Sequence, residues 1–350
     1  MIRMLKTKKQ GFIIFLIIVG VASFFRLFLM VPIVAMGTIV SPLTGILTVI
    51  GLYLLTKELF EWRLASIASY LMAISFWHVS FSQTDSVTVV IPFILVYSFY
   101  FLWKGIKHGH LPDFFLAGLF GGIGFYTSSS YYVAPIIAII LFVNYWQYLK
   151  NDFSHSKYEY VKNKFLKGFV LFALTAFVVA LPVLVSFWQN GELFLSLQAR
   201  PVLQVLPVII KTLGMFNFSD SPLLPWPVGV FFIVGFLNEA IHWLKRKHGH
   251  LSTLHTFMFA WFFVTLIPGF LSDTALDIML TIGVLPIVMI FTARGIWWFF
   301  DKLNGWYEVR DAYFKNLPTH RRGKTHTITV LVMVVFLFSI GFMEYWRYFK

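Results

Sequence analysis

Ser75-Phe76-Trp77-His78-Val79-Ser80-Phe81-Ser82-Gln83-Thr84-Asp85-Ser86-Val87-Thr88-Val89-Val90-Ile91-Pro92-Phe93 joins two long apolar runs, at about 64–82 and 86–103, and carries the one carboxylate between Arg63 and Asp113. Runs of that length cross roughly 30 Å of hydrocarbon as helices, and amphipathic rings such as Trp77 and His78 settle at headgroup depth. The stretch therefore reads as a turn at a membrane surface, with Ser82, Gln83, Thr84 and Asp85 as its polar tip. Asp85 also stands where the N-cap of the following helix belongs.

Outward from this stretch the same pattern repeats. The chain of 350 residues is 59% hydrophobic and 12% charged, whereas a soluble domain carries about a quarter of its residues as charges. Apolar runs lie at about 11–30, 31–56, 64–82, 86–103, 114–130, 131–149, 168–189, 224–244, 256–272, 278–299 and 327–345. They predict an all-α, polytopic membrane protein of about eleven transmembrane helices, and residues 1–350 read as a single multi-span domain without a separate soluble one. The first run reads as a span, not as a cleaved signal, because no small-residue cleavage site precedes Arg26. With Pro32 at its start, the second run forms a tight hairpin with the first.

Charge gives the orientation. Of the 28 lysines and arginines, 23 fall on one set of alternate loops if the N-terminus is cytoplasmic; Arg26, Arg200, Lys211, Arg347 and Lys350 are the exceptions. That is the positive-inside bias. The formal net charge of +13 is thus accounted for by topology, and nucleic acid is excluded as a partner. Cysteine is absent, which excludes disulfides and thiolate metal sites.

This orientation sends Asp85, Glu192, Asp220, Asp273 and Asp277 to the outer face. Carboxylates there can act as general bases, hold a divalent cation or cap helices. A divalent cation is allowed by these acids and required by none. Arg26 lies late in an apolar run, where a charge is costly, so it either snorkels outward or faces a polar cavity. Arg200 and Lys211 suit an anionic lipid head. Gly118 and Gly122 form a small-xxx-small surface for close helix packing. Buried charges look almost absent from mid-span and no pair of broken helices marks a midplane site, which speaks against a lipid or solute transporter.

Several ordered segments resemble the multi-span glycosyltransferases of the C-type (GT-C) fold, nearest to glycosyltransferase family 39: the bacterial relatives of protein O-mannosyltransferases and of the enzymes that add sugars to lipid A. They are Gly51–Phe60 with Arg63-Leu64-Ala65, Ser75–Ser82, Ala117-Gly118 through Gly124–Thr127 with Pro135, Thr212–Asn217 with Asp220, Leu266–Ser272, and Thr281–Pro286. The resemblance runs from about 26 to 293. It implies a protein of the plasma (inner) membrane and cell envelope that moves a hexosyl or pentosyl group, with inversion, from a polyprenyl-phosphate sugar in the bilayer to an exported glycan, lipid or protein acceptor.

The chain departs from that pattern. Relatives carry an acidic residue in a long first outer loop, whereas no Asp or Glu occurs here before Glu58. The serine-arginine pair after the tryptophan-histidine motif is Ser82-Gln83, and the later turn that holds histidine and arginine in relatives is Ala275-Leu276-Asp277 before Leu280. The chain also ends at Lys350, soon after the last run, where many relatives continue into an outer soluble domain. A general base contributes a factor of about 10² to 10⁴, or roughly 3 to 5 kcal/mol, so another carboxylate must replace the missing one. Asp85 is the nearest by position. His78, Gln83, Arg26, Arg200 and Lys211 are the expected substrate or lipid-phosphate contacts, with Asp220, Asp273 and Asp277 as further outer acids. The alternative is a catalytically impaired lipid-binding or accessory member of the family.

Overall fold

In lipid every backbone N–H and C=O must find its partner within the protein, so long apolar runs have little choice but to become helices. The computed structural model describes residues 2–28, 39–83, 87–152, 155–190, 207, 209, 213–214, 216–218, 222–245, 250–271, 278–313 and 320–347, and among these there is no strand. In chain order the helices are α1 (Ile2–Ser23, continued by a π-helical turn, Phe24–Phe28), α2 (Val40–Leu59), α3 (Trp62–Ile74), α4 (Phe76–Gln83), α5 (Val90–His108), α6 (Leu111–Ile123), α7 (Ala134–Asp152), α8 (His155–Asn190), α9 (Trp226–Lys245), α10 (His250–Leu271), α11 (Ile278–Thr281), α12 (Leu285–Tyr313) and α13 (His320–Trp346).

Among the described residues eight helical segments are long and apolar enough to cross a membrane, and the number is nine when α3 and α4, bent by 54° at the break between them, are counted together as one span. Two shorter apolar helices, Leu111–Tyr126 and Val330–Trp346, coincide with the fifth and eleventh runs. The polytopic helical class is as expected. One boundary is different: α2 begins at Val40, not at Val31. Apolar composition alone cannot mark that start, and the hairpin expected around Pro32 falls on residues 29–38, which lie outside those described.

α3 and α5 both pack on α2, α1 and α12 pack on α3, and α6 in turn packs on α5 and α8. α8 is peripheral: Val170, Leu174, Phe177 and Val178 are exposed, as suits side chains that face lipid. Two crossings depend on glycine. A Cβ on Gly118 would meet the Phe172 carbonyl oxygen of α8 at 2.5 Å, and one on Gly122 would meet Val179 Cβ at 2.6 Å, so the small-xxx-small surface does pack against a helix. Gly235 of α9 and Gly295 of α12 face each other so closely that a Cβ on either would run into the other helix's backbone.

Gly235→Leu is therefore expected to force α9 off α12 and to cost on the order of 1–3 kcal/mol, read as a lower thermal midpoint in detergent. Gly20→Ala is the control, since nothing lies within 4 Å of a Cβ there; it should be neutral or stabilise by roughly 0.5–1 kcal/mol from helix propensity.

Candidate functional site at the broken helix

The helix that begins at Trp62 stops at Ile74, where Ser75 turns out of helical conformation (φ −56°, ψ 118°), and restarts at Phe76. Neither Pro nor Gly stands at this break. A helix end leaves carbonyls without partners at its C-terminus and N–H groups without partners at its N-terminus, and a broken span has both inside the protein.

Arg26 supplies the first need. It lies in the π-helical turn Phe24–Phe28, is fully buried, and donates from Nη1 to the Ala73 carbonyl at 2.9 Å and from Nη2 to the Met72 carbonyl at 3.3 Å. Glu344 of α13 supplies the second, its Oε2 accepting from the Phe76 N–H at 3.4 Å. A cation thus sits at the negative end of α3 and an anion at the positive end of α4, as the helix dipoles favour.

Arg26 Nη2 also contacts His78 Nδ1 at 2.6 Å. A guanidinium has donors only, so Nδ1 must accept and the ring proton sits on Nε2. That Nε2 is buried and has no hydrogen-bond partner among the described residues. Gly45 of α2 makes room for Arg26 and for Ser82 of α4: a Cβ there would lie 2.7 Å from both Arg26 Nε and Ser82 Cβ. Gln83 Nε2 donates to the Phe25 carbonyl at 3.0 Å, which ties the end of α4 to the π-helical turn.

A further layer closes the same end of the bundle. Arg347 binds Glu344 Oε2 at 3.1 Å and the Pro222 carbonyl at 2.7 Å, and its guanidinium lies 4.9 Å from the centre of the Phe76 ring. Trp77 Nε1 donates to the same Pro222 carbonyl at 3.4 Å. Two of the five basic residues that break the inside bias, Arg26 and Arg347, therefore meet at one joint.

Of the residues nominated from sequence, Arg26, His78 and Gln83 come together here. Asp85, Arg200, Lys211, Asp220, Asp273 and Asp277 lie outside the described residues. His78 and Ser82 are fully buried, so this part of the tryptophan-histidine stretch packs inside the protein, while Thr84 and Asp85 of the expected polar tip lie outside the described residues. Of the two readings of Arg26, snorkelling is excluded, since its side chain turns inward to the break.

Two buried acids lie toward the C-terminal ends of apolar helices. Glu239 of α9 is fully buried between His255 of α10, at 2.8 Å, and Arg294 of α12, at 2.5 Å. Glu344 is 3% exposed. Glu239 and Glu344 are each the only acid of an apolar run, 224–244 and 327–345, a signal that could have found both. Among the described residues no group of three or more acids and histidines is placed to hold a metal.

Replacing Arg26 with Met is expected to strip donors from Met72, Ala73 and His78, each such buried group costing about 1–3 kcal/mol. Arg26→Lys keeps the charge but loses the planar fork and recovers only part. Thermal unfolding in detergent reads the difference; equal midpoints for wild type and Arg26→Met would show that the guanidinium does not hold the break.

With this geometry in place, the comparisons with known proteins agree with one another. Residues 34–188 match the family described as dolichyl-phosphate-mannose-protein mannosyltransferase. Solved structures of the Archaeoglobus fulgidus oligosaccharyltransferase match over 88% of this chain: tethered to an acceptor peptide containing the NVT sequon (15% identity, TM-score 0.50), in the apo form (15%, 0.51), and in complex with zinc and sulfate, the last at 17% identity and TM-score 0.51. The chain spans 43%, 44% and 41% of their respective lengths, less than half in each case. No curated protein matches the sequence. The chain is a multi-span membrane protein of the GT-C glycosyltransferase fold, and its residues 34–188 carry the likeness to the mannosyltransferase family.

Proposed function

We propose that this protein transfers a sugar from a polyprenyl-phosphate carrier to an exported acceptor, on the membrane face at which α3 and α4 break. The observation that carries this reading is the family match over residues 34–188, which includes the break and the buried His78 Nε2–H.

In the proposed step Asp85, two residues beyond Gln83 in sequence, takes the proton of an acceptor hydroxyl. The oxygen attacks the anomeric carbon, the bond from that carbon to the phosphate oxygen breaks, and the phosphate leaves with the bonding electron pair. The configuration at carbon inverts. His78 Nε2–H is the donor assigned to the leaving phosphate, with Arg200 and Lys211 as further anion contacts. Arg26 and Gln83 hold the joint that aims His78: Arg26 bonds the Met72 and Ala73 carbonyls and His78 Nδ1, and Gln83 bonds the Phe25 carbonyl.

The absence of any acid before Glu58 favours a second reading, a lipid-binding accessory member that binds the carrier without turnover. Purified protein assayed with a panel of lipid-linked sugars separates the two. Transfer by wild type, reduced about 10²- to 10⁴-fold in Asp85→Asn with carrier binding retained, is the expected result. Undiminished transfer by Asp85→Asn moves the base to Asp220, Asp273 or Asp277. Carrier binding without transfer by wild type selects the accessory reading, and carrier-independent solute flux in sealed vesicles would overturn both.

A further inference from the structure

α1, α3, α12 and α13 enclose a slot of about 910 Å³ that no part of the described chain fills. Its walls are almost wholly apolar, and it is open on one side, where Ile17 of α1 and Phe338 of α13 are 60% and 73% exposed. From Trp62 to Ile74 the slot follows the 13 residues of α3, whose length from first to last is about 18 Å at 1.5 Å per step. Half of a hydrocarbon core is about 15 Å, so the slot is one leaflet deep. Phe25 and Tyr345, in edge contact at 6.3 Å, stand together at its far end.

The near end is of a different character. Arg63 lines it, exposed, with its guanidinium 5.5 Å from the Trp62 ring centre and 5.9 Å from that of Trp297. No carboxylate lies within ion-pairing distance of Arg63 among the described residues. Tryptophans mark headgroup depth, and an arginine there attracts anionic lipid heads. A cation between two tryptophans, above an apolar slot one acyl chain long, matches a phospholipid in both charge and length.

We propose that the slot binds one anionic membrane phospholipid, its phosphodiester at Arg63 and an acyl chain between α1 and α13. Its charged end, at Arg63, lies at the opposite end of α3 from the break at Ser75, and the proposal does not depend on the transfer reaction. A bound chain fills the space between the first and last helices, and through Phe25 and Tyr345 it presses on the turn that carries Arg26.

Native mass spectrometry of the purified full chain, titrated with phosphatidylglycerol, phosphatidylcholine or polyprenyl phosphate, tests this. One phosphatidylglycerol per protein is expected, retained in preference to phosphatidylcholine. Arg63→Gln should weaken retention about fivefold, and Arg63→Lys should restore most of it. Ile17→Trp and Val334→Trp, at positions 60% and 56% exposed, fill the slot without cutting into the core and should abolish retention at an unchanged thermal midpoint. Equal retention of the two phospholipids, insensitivity to Arg63→Gln, retention unchanged in the tryptophan variants, or displacement of phosphatidylglycerol by polyprenyl phosphate would each overturn the proposal.

Discussion

The structure turns on a single joint, the break at Ser75, and on the two charges that close it. Stopping and restarting a helix inside a membrane protein exposes carbonyls of one segment and N–H groups of the next, each costing several kcal/mol if left in hydrocarbon. Arg26 bonds the carbonyls of Met72 and Ala73, and Glu344 bonds the N–H of Phe76. An arginine costs about 2.5–3.5 kcal/mol to insert at mid-bilayer on translocon scales; bonds to several carbonyls offset that. Because Arg26 follows α1 and Glu344 belongs to α13, the joint ties the first and last helices of the chain to α3 and α4. Local geometry at one residue thereby fixes long-range topology.

A second polar knot, Glu239 with His255 and Arg294, joins α9, α10 and α12. Gly235 and Gly295 lie within a turn of Glu239 and Arg294, respectively, where their helices come closest. Close packing excludes water, and a carboxylate enclosed there must be paired or pay heavily for its charge. Such a knot is weak support for stability, since an apolar replacement of equal volume can do as well, but it does specify which helices meet. The two knots are built differently. The joint at Ser75 satisfies backbone groups, while that at Glu239 satisfies a side chain.

The fold class was legible because apolar runs and the bias of basic residues are local and additive along the chain. The glycine surface at Gly118 and Gly122 was legible for the same reason. The break was not, because the groups that close it are distant in sequence, Arg26 lying 47 residues before the Ala73 carbonyl it bonds, and no proline or glycine marks Ser75 itself. Arg26 and His78 were each nominated on local grounds, one as a costly charge and the other as part of a motif. Their contact is tertiary and no spacing rule predicts it. Glu344 carried a visible signal as the sole acid of an apolar run, but its role as the acceptor for α4 depends on where α4 begins. The start of α2 escaped because residues 31–39 are apolar enough for a span, and composition alone does not mark a helix boundary.

A fold shared at 15–17% identity fixes helix placement and leaves side-chain chemistry to be argued residue by residue. A broken span is also the usual binding device of secondary transporters, where half-helix ends are left to hold the substrate or coupling ion. Here the ends are occupied: Arg26 takes the carbonyls of α3 and Glu344 takes the first N–H of α4. A joint closed by the protein's own charges has little backbone left to offer an ion, and alternating access would have to break both contacts on every cycle. What it offers instead is a fixed platform. His78, held through Nδ1 by Arg26, presents its Nε2–H in one orientation, and preorganised donors of that kind stabilise charge that develops during a reaction. Rigidity at the break therefore weighs for a transferase and against a transporter, on grounds independent of the family resemblance.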